Sequence, residues 1–109
     1  MLSPKLRHRV TLSGLTATRD QWGGVVESWQ PVVSNLPAEI VPLSGREFVA
    51  AQATQAGVTT RITIRYRGGV APAMRIEHGG DIYNIKAVLP DPTLRRHLAL
   101  MCEMGVRDD

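Results

Sequence analysis

The apolar residues of this chain recur at every second position far more often than at helical spacing. In residues 6–12, Leu6, Val10 and Leu12 share one side with His8, while Arg7, Arg9 and Thr11 take the other. A side-chain period of two belongs to a strand with one face toward a core. The pattern is clearest in residues 59–67, where Thr60, Ile62, Ile64 and Tyr66 form one face and Thr59, Arg61, Thr63, Arg65 and Arg67 the other. It returns in residues 74–78, with Met74 and Ile76 inward, in residues 82–89, and in residues 94–103, with Leu98, Leu100 and Cys102 on one face. Residues 25–33 and 36–43 read as two further strands. Pro31 puts the first at an edge or a bulge, because proline has no N–H for a ladder. Asp20-Gln21-Trp22-Gly23-Gly24 closes a hairpin and Gly79-Gly80-Asp81 another, and loops run from Gly68-Gly69 to Pro72 and through Pro90-Asp91-Pro92.

One stretch departs from the alternation. Ser44-Gly45-Arg46-Glu47 has the form of a capping box and leads into Phe48-Val49-Ala50-Ala51-Gln52-Ala53, so a helix of about two turns is expected, ended by Gly57. A helix this short depends on tertiary or intersubunit contacts, and the same residues also suit a loop. The chain is therefore expected to be mainly β: a small antiparallel β-barrel of six or seven strands, with one short helix or long loop at residues 42–57 inserted between strands. Residues 1–109 read as a single domain, with 104–109 as a frayed tail.

Composition narrows the chemistry. The charge is +3 at pH 7 over 109 residues, and 11 of the 13 basic residues are arginine, whose planar fork suits carboxylates, phosphates and interfaces. That surplus permits contact with nucleic acid but is diffuse for a dedicated DNA reader. No apolar run approaches a bilayer span, and the basic start of the chain is not followed by the apolar stretch of a secretion signal. The five aromatics, Trp22, Trp29, Phe48, Tyr66 and Tyr83, make a thin core, which points to further burial by association.

Catalysis finds little support. The lone Cys102 excludes an intrachain disulfide and reads as a small buried residue on a strand. His8, His78 and His97 lack paired metal-ligand spacing, so no metal and no cofactor is expected. The paired glycines match no phosphate loop, and Glu27, Glu39, Glu47, Glu77 and Glu103 read as solvated strand or cap residues rather than an acid–base pair. The chain is not expected to be an enzyme. One feature exceeds the ordinary: Arg61, Arg65 and Arg67 on one side of the alternation, with Arg75 expected nearby across the sheet, form a candidate basic interface patch. A solvated outer face is the plainer account of the same arginines.

Taken in order, several words of the sequence resemble the bacteriophage head-tail joining family, also called head-closure or stopper proteins. They are Lys5-Leu6-Arg7-His8-Arg9-Val10-Thr11-Leu12, Asp20-Gln21-Trp22-Gly23-Gly24 with Glu27-Ser28-Trp29, and Pro42-Leu43-Ser44-Gly45-Arg46-Glu47-Phe48 with Ala50-Ala51-Gln52. Thr60-Arg61-Ile62-Thr63-Ile64-Arg65-Tyr66-Arg67, Gly69-Val70-Ala71-Pro72-Ala73-Met74-Arg75, Tyr83-Asn84-Ile85 and residues 95–102 follow. The resemblance spans nearly the whole chain and departs at Ser34-Asn35-Leu36-Pro37, where family members look continuously strand-like. It implies a structural protein in the virion neck, assembled in the host bacterial cytoplasm. There a homo-oligomeric ring, six- or twelve-fold, would sit between the portal or adaptor protein and the tail terminator or tail tube. Such a ring closes the channel on packaged double-stranded DNA without reading its sequence, docks the tail and meets no membrane. Ser44, Gly45, Arg46, Glu47, Phe48 and Gln52, in the segment that breaks the β pattern, are then expected at the channel or a subunit interface. The rival readings are an OB-like nucleic-acid-binding module, which would stack bases on exposed rings, and another neck ring such as an adaptor or tail terminator.

Overall fold

The computed structural model describes residues 5–92 and 94–105. Within them the strands are β1 (His8–Arg19), β2 (Val25–Pro42), β3 (Thr60–Arg65), β4 (Arg75–His78), β5 (Asp81–Pro90) and β6 (His97–Met104), and one helix, α1 (Gly45–Thr54), joins β2 to β3. The strands close into an antiparallel barrel in the order β1-β2-β3-β6-β5-β4, as the alternation predicts. Closure removes sheet edges that would otherwise stay unpaired. The inward positions of the period-two pattern fill the interior. Val10, Leu12, Ile62, Ile64, Ile76, Ile85, Leu100 and Cys102 are buried together. Among the described residues no helix is long and apolar enough to cross a membrane.

Several local expectations are corrected. Residues 25–33 and 36–43 are one strand rather than two, with register shifts against β1 between Val10 and Leu12 and between Leu12 and Ser13. At each shift β2 carries one residue more than β1, and Asn35 takes φ +57°, a left-handed conformation that asparagine tolerates better than most side chains. Pro31, facing Ser13, sits at one of these bulges, where a missing N–H costs least. Tyr66 falls outside β3 and is exposed, so it does not extend the apolar face. The last strand starts at His97 instead of Leu94, behind Arg95 at φ +50°. Met104 is the last residue of β6, and residues 106–109 of the expected tail lie outside the described residues.

The β1–β2 hairpin outgrows the barrel. β4 pairs with β1 only from Thr11 to Ser13, and β3 pairs with β2 only from Ala38 to Pro42. The outer part, from Gly14 opposite Gln30 to Arg19 opposite Val25, pairs with no third strand among the described residues. This arm stretches the molecule to 55 × 26 × 25 Å. Its tip is closed by Asp20, whose Oδ1 accepts from the N–H groups of Trp22 at 2.9 Å and Gly24 at 2.8 Å. Gly23 takes φ +80°, a conformation that a β-carbon would strain.

Candidate assembly surfaces

Three surfaces emerge from these elements. The first is the end of the barrel from which the arm leaves. Arg65 stands opposite His97, and the Tyr66 N–H donates to the Arg96 carbonyl at 2.9 Å. Antiparallel pairing of β3 with β6 thus brings Arg65, Tyr66 and Arg67 beside Arg95 and Arg96, all exposed except the half-buried Arg67.

This differs from the patch expected from the alternation. Arg61 is engaged in an ion pair with Glu47 of α1. Arg75 lies on β4, which is three places from β3 around the barrel, so it is not near Arg61 or Arg65 across a shared sheet. Its guanidinium stacks over Trp29 at 4.2 Å from the ring centroid and approaches Glu77 at 3.5 Å. The alternation, which runs the last strand back to residue 94, does not single out Arg95 and Arg96; in the structure they lie in the loop before β6. Only the non-sequential neighbourhood of β3 and β6 places them.

The second surface is α1. Its expected capping box does not form, since Ser44 makes no side-chain cap hydrogen bond and Glu47 reaches Arg61 instead. A full guanidinium charge is a stronger partner for a carboxylate than the neutral Ser44 N–H. Gln52 fastens the far end: its Nε2 donates to the Val58 carbonyl at 2.7 Å, and its Oε1 accepts from the Gly57 N–H at 2.9 Å. Gly57 has φ +91°, a left-handed conformation that favours glycine; a β-carbon there would meet only the end of the flexible Glu103 side chain, so backbone conformation rather than space asks for glycine. Of the six residues expected at a channel or interface, Ser44, Gly45, Arg46, Glu47 and Phe48 are exposed at the start of the helix, whereas Gln52 is turned into the structure. Between α1 and the outer faces of β5 and β6 runs a groove of about 370 Å³, lined by Ala51, Thr54, Val58, Ala87, Leu89 and Met101.

The third surface is the apolar side of the arm. In an antiparallel pair, directly opposed residues share a face. Leu15 with Trp29, Ala17 with Glu27 and Arg19 with Val25 therefore form one side, while Gly14, Thr16, Thr18, Val26, Ser28 and Gln30 form the other. At the arm's root, Arg75 covers Trp29, and Glu77 joins Arg75 to the buried Ser13, whose hydroxyl donates to Oε2 at 2.6 Å.

Burial holds the titratable groups of the core in their protonated forms. Burial pushes the Cys102 thiol up from 9.0 to about 12, and its Sγ donates to the Leu100 carbonyl at 3.4 Å, so it stays a protonated core residue. Tyr83 is likewise shifted upward, by burial first and then by the nearby Asp81 and Cys102. His8 and His78 meet edge to face at 5.0 Å, and among the described residues no group of three or more His, Cys, Asp or Glu side chains is arranged to hold a metal.

Comparison with known proteins gives these surfaces a context. The model of the phage head completion protein family matches residues 1–105. Head completion protein gp7 of Enterobacteria phage HK97 is 31% identical over 109 aligned residues, covering 93% of this chain and 94% of that protein. The solution structure of protein SF1141 from Shigella flexneri 2a superimposes with a TM-score of 0.83 at 31% identity, over 99% of this chain and all of the other. A chain from the virion of a native gene transfer agent particle shares the fold, with a TM-score of 0.62 at 22% identity over 95% of this chain and 99% of that one. A family match over nearly the full length, with a relative of this identity, is decisive: the chain belongs to the phage head completion protein family.

Proposed function

We propose that the protein is a neck component of a tailed phage or phage-like particle. Copies of it form a ring between the portal or adaptor and the tail, close the DNA channel and present the surface on which the tail docks. The observation that carries this reading is the near full-length similarity to the head completion protein of phage HK97. The physical arrangement supports it. Retaining a polyanion requires no bond making, only a narrowed bore and subunit contacts that withstand pressure. A closed barrel is a rigid tile for such a ring, and Arg65, Arg67, Arg95 and Arg96 at one end supply charge that attracts phosphates without reading bases. In this reading that end faces the packaged duplex, and the exposed start of α1 lies at the bore or at a subunit boundary.

The test is electron microscopy of particles made without the protein. Heads that leak their DNA and carry no tails are the expected result. Full, tailed and infectious particles would overturn the proposal.

A further inference from the structure

We propose that the apolar side of the β1–β2 arm of one copy seats in the groove between α1, β5 and β6 of the next copy, linking the copies head to tail. This rests on the ring reading above and names the contact that builds it. Beyond Trp29, which Arg75 covers at the root, the arm's apolar side is left open by the described residues of its own chain. Leu15 is 49% and Val25 65% exposed, although Leu15, Ala17, Val25 and Trp29 repeat the two-faced pattern of a strand over a core. A two-stranded ribbon is marginal in water on its own, so a sequence that keeps one face apolar gains from a surface to place it on.

The groove fits that need in size and kind. Its volume of about 370 Å³ exceeds twice the roughly 150 Å³ that holds a benzene ring, enough for two or three aliphatic side chains such as Leu15 and Val25. Its own lining leaves Leu89 51% exposed. Charge also matches: the arm's apolar side carries Glu27 and Arg19, and close to the groove Lys86 and Glu103 stand 3.3 Å apart, so the two pairs can meet crosswise.

Placement decides for a neighbouring copy over the same chain. In the barrel order β1-β2-β3-β6-β5-β4, the β1–β2 pair that grows the arm lies diametrically opposite the β6–β5 pair that floors the groove. Donor and acceptor on opposite walls make a heterologous contact, which repeats around a circle when the rotation closes. One face of the arm's six residue pairs covers only about 200 Å² (about 20 by 10 Å), well short of the roughly 800 Å² per partner of a durable pairwise interface. A single contact is therefore weak, and the free chain stays monomeric. The contact lasts when each copy both gives and receives an arm and adjoining walls add area.

The experiment uses particles assembled with a chain carrying Val25→Cys and Leu89→Cys, treated with a short bismaleimide. Cys102 is buried and gives no background in the unsubstituted chain. The expected result is a ladder of covalent oligomers beyond the dimer from the double variant and none from either single variant. Particles containing both single variants should give dimers only. A double variant that stops at dimers indicates reciprocal pairing and overturns the head-to-tail contact. Absence of any cross-link in DNA-filled, tailed particles that contain the protein overturns the arm contact while leaving the neck function standing. Absence of the protein from particles overturns both.

Discussion

The barrel wall and the arm are made from the same kind of sequence yet end in opposite environments. In β3, Ile62 and Ile64 alternate with Arg61 and Thr63 and are fully buried. In the arm, Leu15 and Ala17 alternate with Thr16 and Thr18, and all four are exposed. Alternation thus reports that a strand has two different faces, not that the apolar one is covered by its own chain. In the wall the cover comes from five other strands; in the arm, under the contact proposed above, it comes from a neighbouring copy. Substitution should separate the two cases sharply. Ile62→Ala, which leaves a cavity in a closed interior, is expected to lower unfolding free energy by roughly 3–4 kcal/mol in urea denaturation. Val25→Ala should change it by less than about 0.5 kcal/mol, because an exposed site loses little on truncation. Equal losses at both positions would mean that the arm is folded onto its own barrel.

The interior also responds to pH. Cys102 is raised from 9.0 to about 12 by burial. A thiol whose folded value lies above its unfolded one contributes stability that is intact below about pH 9 and is lost as the pH climbs toward 12. At pH 11 the loss from this group alone is roughly 2–3 kcal/mol. Tyr83, shifted in the same direction, adds to the alkaline decline. Cys102→Ala should cost some stability at neutral pH through lost packing, but its decline between pH 8 and 11 should be shallower by about that amount. A parallel decline in both proteins would show that the thiol is solvated.

Local periodicity was enough to read the barrel, because each inward residue of β3, β4, β5 and β6 needs only its own strand to be recognised. What it could not supply was the strand order. Chain order alone invites Arg75 to be placed beside Arg65, but β6 and not β4 is the neighbour of β3, so Arg95 and Arg96 take the place expected for Arg75. The same limit applies at α1. Ser44 and Glu47 have capping-box spacing, but Arg61, fourteen residues on, competes for the carboxylate and wins it. Ser34-Asn35-Leu36-Pro37 looked like a break because proline and asparagine interrupt ladders. The structure takes Ser34 and Asn35 into a bulge and pairs Leu36 and Pro37 regularly with Val10 and Arg9, all within one long strand.

Gln52 marks the boundary between the two regimes, since it joins the exposed helix to the wall. Its side chain satisfies both the Gly57 N–H and the Val58 carbonyl. Gln52→Ala leaves a part-buried donor and acceptor without their partner, at an expected cost of roughly 1–2 kcal/mol. Gln52→Glu keeps an acceptor for the Gly57 N–H but sets a carboxylate oxygen against the Val58 carbonyl, so it should cost at least as much as the alanine. Thermal unfolding of the two variants checks the order. If both match the unsubstituted protein, α1 is held by Arg61 and Glu47 rather than by Gln52.

The smallest effect is expected at the arm's tip, where the structure is held by local bonds alone. Asp20 Oδ1 takes both the Trp22 and Gly24 N–H groups, and the Asp20 N–H donates to the Gly24 carbonyl at 2.8 Å. Nothing in the barrel leans on these contacts, so the tip opens without opening the core. Asp20→Ala should leave the global unfolding midpoint within about 1 °C. Amide exchange at Trp22 and Gly24 should rise by roughly five-fold, the equivalent of about 1 kcal/mol for a lost hydrogen bond. Barrel amides such as those of Ile62 and Leu100 should keep their protection. A drop in barrel protection on the same substitution would mean that arm and barrel unfold as one unit, and the arm could then not be a separately ordered element offered to a neighbouring copy.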